Sequence, residues 1–200
     1  MRIAYLVPSL GLQEGQGTAN LEILRRIARA GHTVDVFTSS APSIVRALNG
    51  VRIRKVPRLP AWQLGNQLIS LGSTSAMLRD HYDVVHADAG VTLRKADIIS
   101  LHTVSDRWLR LPDDVWREPG ARGRHNDAAT RFKASLEIRQ ARAARLVLVN
   151  SSMTKDDIVA RGVREPNVRV VPFGVDTERF RPPSPEERAA ARAGFAIGAD

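Results

Sequence analysis

The sequence predicts an α/β fold in which a parallel β-sheet carries helices on both faces. Strand-like and helix-like segments alternate along the 200 residues, and most of the strand-like segments are short, continuous apolar runs. Strands buried on both faces of a parallel sheet have this character, whereas half-exposed strands alternate apolar and polar side chains. A chain of this length is expected to form one main domain.

The predicted strands are separated by segments that, in most cases, have helical periodicity. They cover residues 3–7, 33–37, 51–56, 83–87, 96–101, 146–149 and 168–171. The third strand is expected at an edge of the sheet, because its apolar residues alternate with basic ones. The alternation of elements, with the strands at 83–87 and 96–101 in the centre, is that of a Rossmann-like sheet.

Helices are expected between these strands, and their ends are marked by capping residues. The first ends at Gly31, the second covers 61–79 as one or two helices, the third covers 128–144, and the fourth follows Ser151 and ends at Gly162. A further helix is expected after the last strand, where Ser184 and Glu187 have the spacing of a capping box. Residues 105–126 have no clear period and are predicted to form a long polar loop. Loops of that length are commonly functional or disordered.

Composition narrows the function classes. No run of about twenty apolar residues is present, so a membrane-spanning helix is not expected. The absence of cysteine excludes disulfides, thiolate metal sites and cysteine nucleophiles. The formal charge of +9 favours an anionic membrane surface over nucleic acid, because the aromatic residues do not interleave with the arginines as a stacking platform requires. We expect a cytoplasmic protein and keep open a peripheral position on the inner face of the membrane.

A glycine-rich segment between the first strand and the first helix is a candidate binding site. Free backbone N–H groups and a helix N-terminus favour a phosphate or another anion there. A dinucleotide fingerprint would need a glycine where Asn20 stands and a carboxylate after the second strand, where Thr38, Ser39 and Ser40 stand. We therefore discount a dinucleotide. The alternative is that the glycines only allow the loop to turn.

Histidines offer a second candidate. His102 follows the strand at 96–101 and is expected at the carboxyl edge of the sheet, where open α/β sheets bind ligands. From position alone it is either a substrate contact or a structural histidine. His86 and Asp88 lie two apart on a strand, but two ligands without a third make a poor metal site, so we predict neither a metal nor a cofactor. No serine has a nucleophile-elbow context, which argues against a hydrolase.

Four passages, in this order, resemble the N-terminal domain of glycosyltransferase family 4, whose members are retaining enzymes of GT-B architecture. They are RAGHTVDVF at 29–37 with the glycine-rich segment before it, YDVVHA at 82–87, ARLVLVNS at 144–151 and VRVVPFGVDTERFRP at 168–182. The resemblance implies that residues 1–181 form the Rossmann-like, acceptor-side half of a GT-B enzyme. Residues 182–200 would then be a linker and the first helix of a C-terminal donor-binding domain that is otherwise absent.

The resemblance also implies an activity and its residues. A sugar would pass from a nucleotide-sugar donor to an acceptor sugar, glycan or lipid-linked acceptor, with retention of configuration. His102 would be catalytic and contact the transferred sugar, and Gln16 interrupts the family's usual pair of adjacent glycines. The predicted substrate-binding residues are Gly15, Gln16, Gly17, Thr18, Asp88, Asn150 and Ser151. Because the donor is shared with the C-terminal domain, the chain alone is expected to be inactive, and no metal or cofactor is implied.

Two other functions stay open on the sequence. One is a non-catalytic module of the same fold that docks on a partner or an anionic membrane through the basic helix between Arg131 and Arg145. The other is a free-standing α/β protein that binds a different phosphorylated ligand.

Overall fold

The computed structural model describes residues 1–11, 15–58, 63–78, 80–88, 91–112, 118–178 and 180–197. Within these ranges, seven parallel strands form one sheet in the order β3-β2-β1-β4-β5-β6-β7. The strands are β1 (Arg2–Leu6), β2 (Thr33–Thr38), β3 (Val51–Lys55), β4 (Val84–Asp88), β5 (Ile98–Leu101), β6 (Leu146–Val149) and β7 (Val168–Val170). The predicted parallel sheet is confirmed, and each strand begins and ends within two residues of its predicted bounds.

Helices cover both faces of this sheet. They are α1 (Gly15–Arg29), α2 (Ser43–Arg46), α3 (Gln63–Met77), α4 (Ser105–Trp108), α5 (Gly120–Ala143), α6 (Ser152–Ala160) and α7 (Pro185–Gly194), with a 3-10 turn at Glu165–Asn167. Among the described residues, no helix is both long and apolar enough to cross a bilayer.

The side chains of β1 point alternately to the two faces of the sheet, and each face carries its own hydrophobic core cluster. Ile3 and Tyr5 pack with Leu24 of α1 on one face of the sheet. Ala4 and Leu6 belong to the other cluster, which contains Ile138 of α5 and Ile158 of α6. Because successive strand side chains point to opposite faces, a strand that is apolar at every position is buried on both sides. The predicted helices on both faces are therefore confirmed.

One expectation about helix bounds needs correction. The loop predicted for 105–126 is wrong in part, since α4 lies inside it and α5 begins at Gly120, directly after Pro119. The first turns of α5 are polar, so hydrophobic periodicity did not reveal them. The second predicted helix is a single element, α3, and the hydroxyl of Thr74 donates to the carbonyl of Ser70 within it. The helix therefore continues through the cluster of glycine, serine and threonine at 72–75.

The predicted caps are present. Gly31 and Gly162, at the ends of α1 and α6, have φ angles of 78° and 82°, in the left-handed region that glycine enters without strain. Ser151 accepts a hydrogen bond from the backbone N–H of Thr154 at the start of α6. Ser184 and Glu187 form a reciprocal capping box at the start of α7. Capping residues therefore mark these helix ends in the sequence reliably.

The order of the strands creates a crevice between β1 and β4. From β1 the chain passes outward through β2 to β3, and then returns to begin the other half of the sheet at β4. The connections that follow β1 and β4 therefore diverge at the carboxyl edge of the sheet. Ligands of open α/β sheets bind at such a switch point.

Candidate functional site

Asp88 occupies the centre of this crevice, as the last residue of β4. Its side chain is fully buried, and its carboxylate accepts a hydrogen bond of 2.7 Å from the amide of Asn20. The amide of Gln16 lies 3.0 and 3.2 Å from the two oxygens of the same carboxylate. Two amides from the first turns of α1 thus hold the charge of Asp88, and they fasten the glycine-rich segment to the sheet.

A second bond orients Asn20. The hydroxyl of Tyr5 on β1 donates to Asn20 Oδ1 at 2.7 Å, which leaves the amide nitrogen of Asn20 to donate to Asp88. Burial raises the pKa of Tyr5 well above its usual range, and the charge of Asp88 raises it further. The phenol therefore stays protonated and remains a donor. Tyr5, Asn20 and Asp88 form one buried chain of hydrogen bonds.

Gly17 makes the closest backbone approach in this segment. It is buried, and a Cβ atom added to it would lie 1.7 Å from the carbonyl oxygen of Gly11. Gly15 has no such neighbour, and Gly15, Gln16 and Thr18 are exposed at the start of α1. Only glycine fits at position 17, because the start of α1 approaches the backbone of Gly11 so closely.

His102 follows β5 and lies beside Asp88. Its Nε2 is 3.2 Å from Asp88 Oδ1, an ion-pair distance, yet Nε2 has no aligned hydrogen-bond partner among the described residues. The ring packs on Phe173 with 5.0 Å between the ring centroids, and Phe173 is about half exposed. The structure thus brings together three residues predicted from the sequence, namely Gln16, Asp88 and His102.

His86 faces a different set of partners. Its Nε2 lies 2.8 Å from the hydroxyl of Ser100, and its ring meets Tyr5 edge-on at 4.8 Å. Burial lowers the pKa of His86 to about 4, although Asp88 acts in the opposite direction. His86 is therefore neutral and structural. In the part of the chain that the structure describes, no group of three or more histidine, aspartate or glutamate side chains is placed to hold a metal ion.

Asn150 and Ser151 lie at the same edge of the sheet, after β6. Ser151 Oγ accepts from the N–H of Thr154 at 3.1 Å, and Asn150 Oδ1 accepts from the hydroxyl of Thr154 at 3.3 Å. Ser151 caps α6, and Asn150 contacts the hydroxyl of Thr154 in its first turn, one strand beyond His102. Their contact with substrate stays a prediction.

Helix α5 supports the loop that carries His102. The fully buried carboxylate of Glu137 accepts from the backbone N–H of Ser105 at 2.9 Å and from its hydroxyl at 3.0 Å. Burial raises the pKa of Glu137, and Lys133, at 3.5 Å, opposes this. The amide of Gln140 on the same helix donates to the carbonyl of Thr92, after β4. One helix therefore holds the loops that follow two central strands.

Sequence reasoning did not assign Tyr5, Asn20, Glu137 or Phe173 to the site. Asn20 carried a detectable signal, because it is a polar residue next to the apolar stripe that includes Leu21 and Leu24. Phe173 lies in the last of the four passages, at 168–182, but nothing in that passage indicates contact with a histidine. The predicted loop at 105–126 contains two tryptophans. Trp108 is about half exposed at the end of α4, and Trp116 lies outside the described residues.

Comparison with known sequences identifies a family and several relatives. The family model described as Glycosyltransferase Family 4 matches residues 14–179. The chain is 30% identical over 218 residues to a D-inositol 3-phosphate glycosyltransferase of Nocardiopsis dassonvillei, with 96% of this chain and 48% of that protein covered. It is 31% identical over 209 residues to D-inositol 3-phosphate glycosyltransferase 1 of Catenulispora acidiphila, with 94% and 47% covered. The chain spans about half the length of the curated relatives it matches.

Solved structures share the fold at low sequence identity. WaaG, a glycosyltransferase involved in lipopolysaccharide biosynthesis, has a TM-score of 0.69 and 17% identity, over 98% of this chain and 52% of WaaG. Sucrose-phosphate synthase from Thermosynechococcus elongatus has a TM-score of 0.68 and 16% identity, over 100% and 53%. Anabaena Alr3699/HepE in complex with UDP-glucose has a TM-score of 0.60 and 15% identity, over 98% and 50%. The fold is the Rossmann-like N-terminal half of a GT-B architecture.

Proposed function

This chain belongs to Glycosyltransferase Family 4, and from that premise we propose that it is the acceptor-side domain of a retaining sugar transferase. The complete enzyme would move a sugar from a nucleotide-sugar to a hydroxyl of an acceptor, with the donor held mainly by a C-terminal domain. The observation that carries the proposal is His102, which lies beside buried Asp88 at the switch point of the sheet.

The geometry around His102 supports retention. An inverting transfer requires a base that removes the acceptor proton, and a histidine base needs a carboxylate aligned behind it. Here the oxygens of Asp88 accept from the amides of Asn20 and Gln16, and His102 Nε2 is not aligned with them. We propose that the other ring nitrogen of His102, Nδ1, donates a hydrogen bond to the sugar as charge develops on it.

The start of α1 supports a donor that carries phosphate. Gly15, Gln16, Gly17 and Thr18 form the first turn of a helix of 15 residues, so that the positive end of the helix dipole lies at the crevice. HepE, which has the same fold, is described in complex with UDP-glucose. We propose a nucleotide-sugar donor on these two grounds, without a metal or cofactor.

We propose that the acceptor is a sugar, a glycan or a lipid-linked acceptor. The curated relatives are named for D-inositol 3-phosphate, a ring that carries both hydroxyls and an anionic group. Those names support a hydroxyl-bearing acceptor with a negative charge, and they do not distinguish the three classes.

The test uses a two-domain enzyme, made by joining the chain to the C-terminal domain of a family member. NMR of the product reports its anomeric configuration, and His102→Ala is expected to lower kcat by about 100-fold, the effect of removing one preorganised donor. His81→Ala is the matched control, because His81 is exposed and precedes β4 at the opposite edge of the sheet. An inverted product, or an unchanged kcat in the His102 variant, would refute the proposal.

A separate measurement tests the division of labour between the domains. If the C-terminal domain supplies most donor contacts, calorimetry of the 200-residue chain with UDP-glucose should show weak binding and no turnover. Tight binding by this chain would contradict the assignment of the donor site to the other domain.

A basic groove along α5 favours a second candidate function, docking on an anionic membrane. Its volume is about 770 Å³, and its lining includes the arginines Arg131, Arg139, Arg142 and Arg161. Two of them are partly neutralised, since Arg131 pairs with Asp127 at 2.9 Å and Arg161 with Asp106 at 3.1 Å. Flotation with anionic and neutral vesicles tests this function, and equal partition to both would exclude it. Under this second proposal, the protein would be cytoplasmic and bound peripherally to the inner face of the membrane.

A further inference from the structure

A cavity distinct from the crevice opens between β2, α2 and β3. Its volume is about 440 Å³, and it is lined by Thr38, Ser39, Ser40, Ala41, Arg46, Val51, Ile53 and Lys55. Thr38 ends β2 and Lys55 ends β3. The cavity therefore extends along one face of β3 from Val51 and reaches the carboxyl edge of the sheet, the edge that also carries His102.

The charge of this cavity is positive and uncompensated. Arg46 and Lys55 are both exposed on its lining, no carboxylate lines it, and within the described ranges neither cation has an ion-pair partner. Arg54, the neighbour of Lys55 on the other face of β3, is in contrast 3.6 Å from Asp35 and 3.7 Å from Asp80. Two carboxylates thus partly neutralise Arg54, whereas Lys55 faces the cavity without one.

The loop that borders the cavity is fixed in place. Ser39 Oγ donates to the carbonyl of Pro8 at 2.7 Å, and Thr38 Oγ1 donates to the carbonyl of Ser40 at 2.9 Å. The N–H of Leu10 donates to that same carbonyl at 3.0 Å. Residues 38–41 are thus tied to the segment that leads from β1 into the glycine-rich loop. A ligand would find this wall preorganised, which lowers the entropic cost of binding.

The cavity lies well away from the reacting group. β2 is three strands from β5 and β3 is four, so that a strand spacing of about 4.8 Å puts the cavity about 14 to 19 Å from His102 along the edge. A single sugar ring does not reach across that interval. A group bound in the cavity while a hydroxyl reacts at His102 must belong to an extended acceptor.

We propose that this cavity binds a phosphate monoester on the part of the acceptor remote from the reacting hydroxyl, through Arg46, Lys55 and the hydroxyl of Ser40. The inference rests on the proposed function for its link to an acceptor. It also sets this chain apart from the relatives named for D-inositol 3-phosphate, because the phosphate of a single ring cannot occupy the cavity while that ring is at His102. Two cations with a hydroxyl donor are suited to a phosphate, whose oxygens accept several charge-assisted hydrogen bonds.

The test measures binding on the 200-residue chain, without turnover. The ¹⁵N-labelled chain is titrated with inorganic phosphate, glucose 6-phosphate and glucose, with ionic strength held constant by sodium chloride. We expect the two phosphates to shift the amide signals of Ser39, Ser40 and Lys55, and glucose to leave them in place. The double variant Arg46→Glu, Lys55→Glu should lose these shifts.

Arg52→Glu is the matched control, because Arg52 is an exposed arginine on the same strand and alternates to the opposite face from Lys55. It should keep the shifts. If Arg52→Glu weakens them as much as the single variant Lys55→Glu, measured alongside it, or if no localised shifts occur, the site does not exist. Either result leaves the His102 assay untouched, so a failure here is distinct from a failure of the proposed function.

A further arm separates two sources of the phosphate. Vesicles of phosphatidic acid in phosphatidylcholine present the same monoester on a lipid. Flotation that is lost in the double variant and kept in Arg52→Glu would assign the cavity to a lipid-linked acceptor. Signal shifts with glucose 6-phosphate, without such flotation, would assign it to a soluble phosphorylated glycan.

Discussion

The side-chain amide of Asn20 donates a hydrogen bond of 2.7 Å to the buried carboxylate of Asp88. These residues are 68 positions apart, on α1 and at the end of β4, and their bond crosses the switch point of the sheet. Asp88 lies 3.2 Å from His102 on its other side. The geometry of the glycine-rich segment and that of the histidine are therefore linked through one carboxylate.

Replacing Asn20 by alanine should destabilise the protein by about 2 to 3 kcal/mol. The change removes the acceptor of the buried hydroxyl of Tyr5 and one of the two amide donors to the carboxylate of Asp88, and unsatisfied buried groups cost about 1 to 3 kcal/mol each, more when charged. Urea unfolding followed by circular dichroism measures the loss. Gln16→Ala is the control, since the exposed Gln16 donates to the same carboxylate and water can replace it. If both variants lose the same free energy of unfolding, the buried hydrogen bond of Asn20 stabilises the protein no more than the exposed one of Gln16.

The role of Asn20 shows what sequence reasoning could and could not reach. The absence of a third glycine at position 20 indicated which ligand class to discount. It did not indicate the hydrogen bond to Asp88, because that contact requires β1 and β4 to be neighbours. Local sequence patterns do not predict the order of strands in a sheet. His102 was predictable as a residue at the carboxyl edge, since it directly follows an apolar run. Its closeness to Asp88 again required the pairing of β4 with β5.

Helix ends that depend on neighbouring residues were predictable from the sequence, and features that depend on distant residues were not. The ends of α1, α6 and α7 were predictable, because glycine and serine caps act on the residues next to them. The start of α5 was missed, because its first turns are polar and carry no apolar period. The buried Glu137 in that helix was missed too, because its partner, Ser105, is 32 residues away.

Gly17→Ala should destabilise the chain by about 1 to 3 kcal/mol, the usual cost of overpacking. The added methyl carbon would lie 1.7 Å from the carbonyl oxygen of Gly11, a backbone atom that cannot rotate away. Gly15→Ala is the control two residues earlier, where the added atom meets nothing within 4 Å, and it should stay within about 1 kcal/mol of the parent. Thermal unfolding of both variants gives the comparison. A Gly17 variant as stable as the Gly15 variant would contradict the close approach.

Glu137→Leu should cost about 1 to 3 kcal/mol, because the N–H and the hydroxyl of Ser105 would lose their buried acceptor. Glu137→Gln should cost much less, since an amide has the same shape and still accepts from the N–H. The imidazole signals of His102 provide a second readout: they should move in the leucine variant and hold their positions in the glutamine variant. If the glutamine variant loses as much stability as the leucine variant, the stabilising feature is the negative charge facing Lys133. The hydrogen bonds to Ser105 would then contribute little.

His86 should make stability depend on pH between 6.5 and about 4. The pKa of His86 is lowered from 6.5 to about 4 by burial, so in this interval the unfolded chain binds a proton that the folded chain does not. Stability therefore falls as the pH is lowered from 6.5 towards 4. The full separation of the two pKa values corresponds to about 3 kcal/mol, the upper limit of the effect.

The measurement is the difference in unfolding free energy between the parent and His86→Gln at several pH values in that interval. Glu137, whose pKa is raised, makes the folded chain more stable as the pH falls, so the pH profile of the parent alone mixes opposite effects. The comparison with His86→Gln removes the contribution of Glu137, because both proteins retain that residue. The parent should lose more stability than the variant as the pH falls, whereas His81→Gln, at an exposed site, should follow the parent. Parallel profiles for the parent and His86→Gln would mean that His86 becomes protonated in the folded protein as readily as in the unfolded chain.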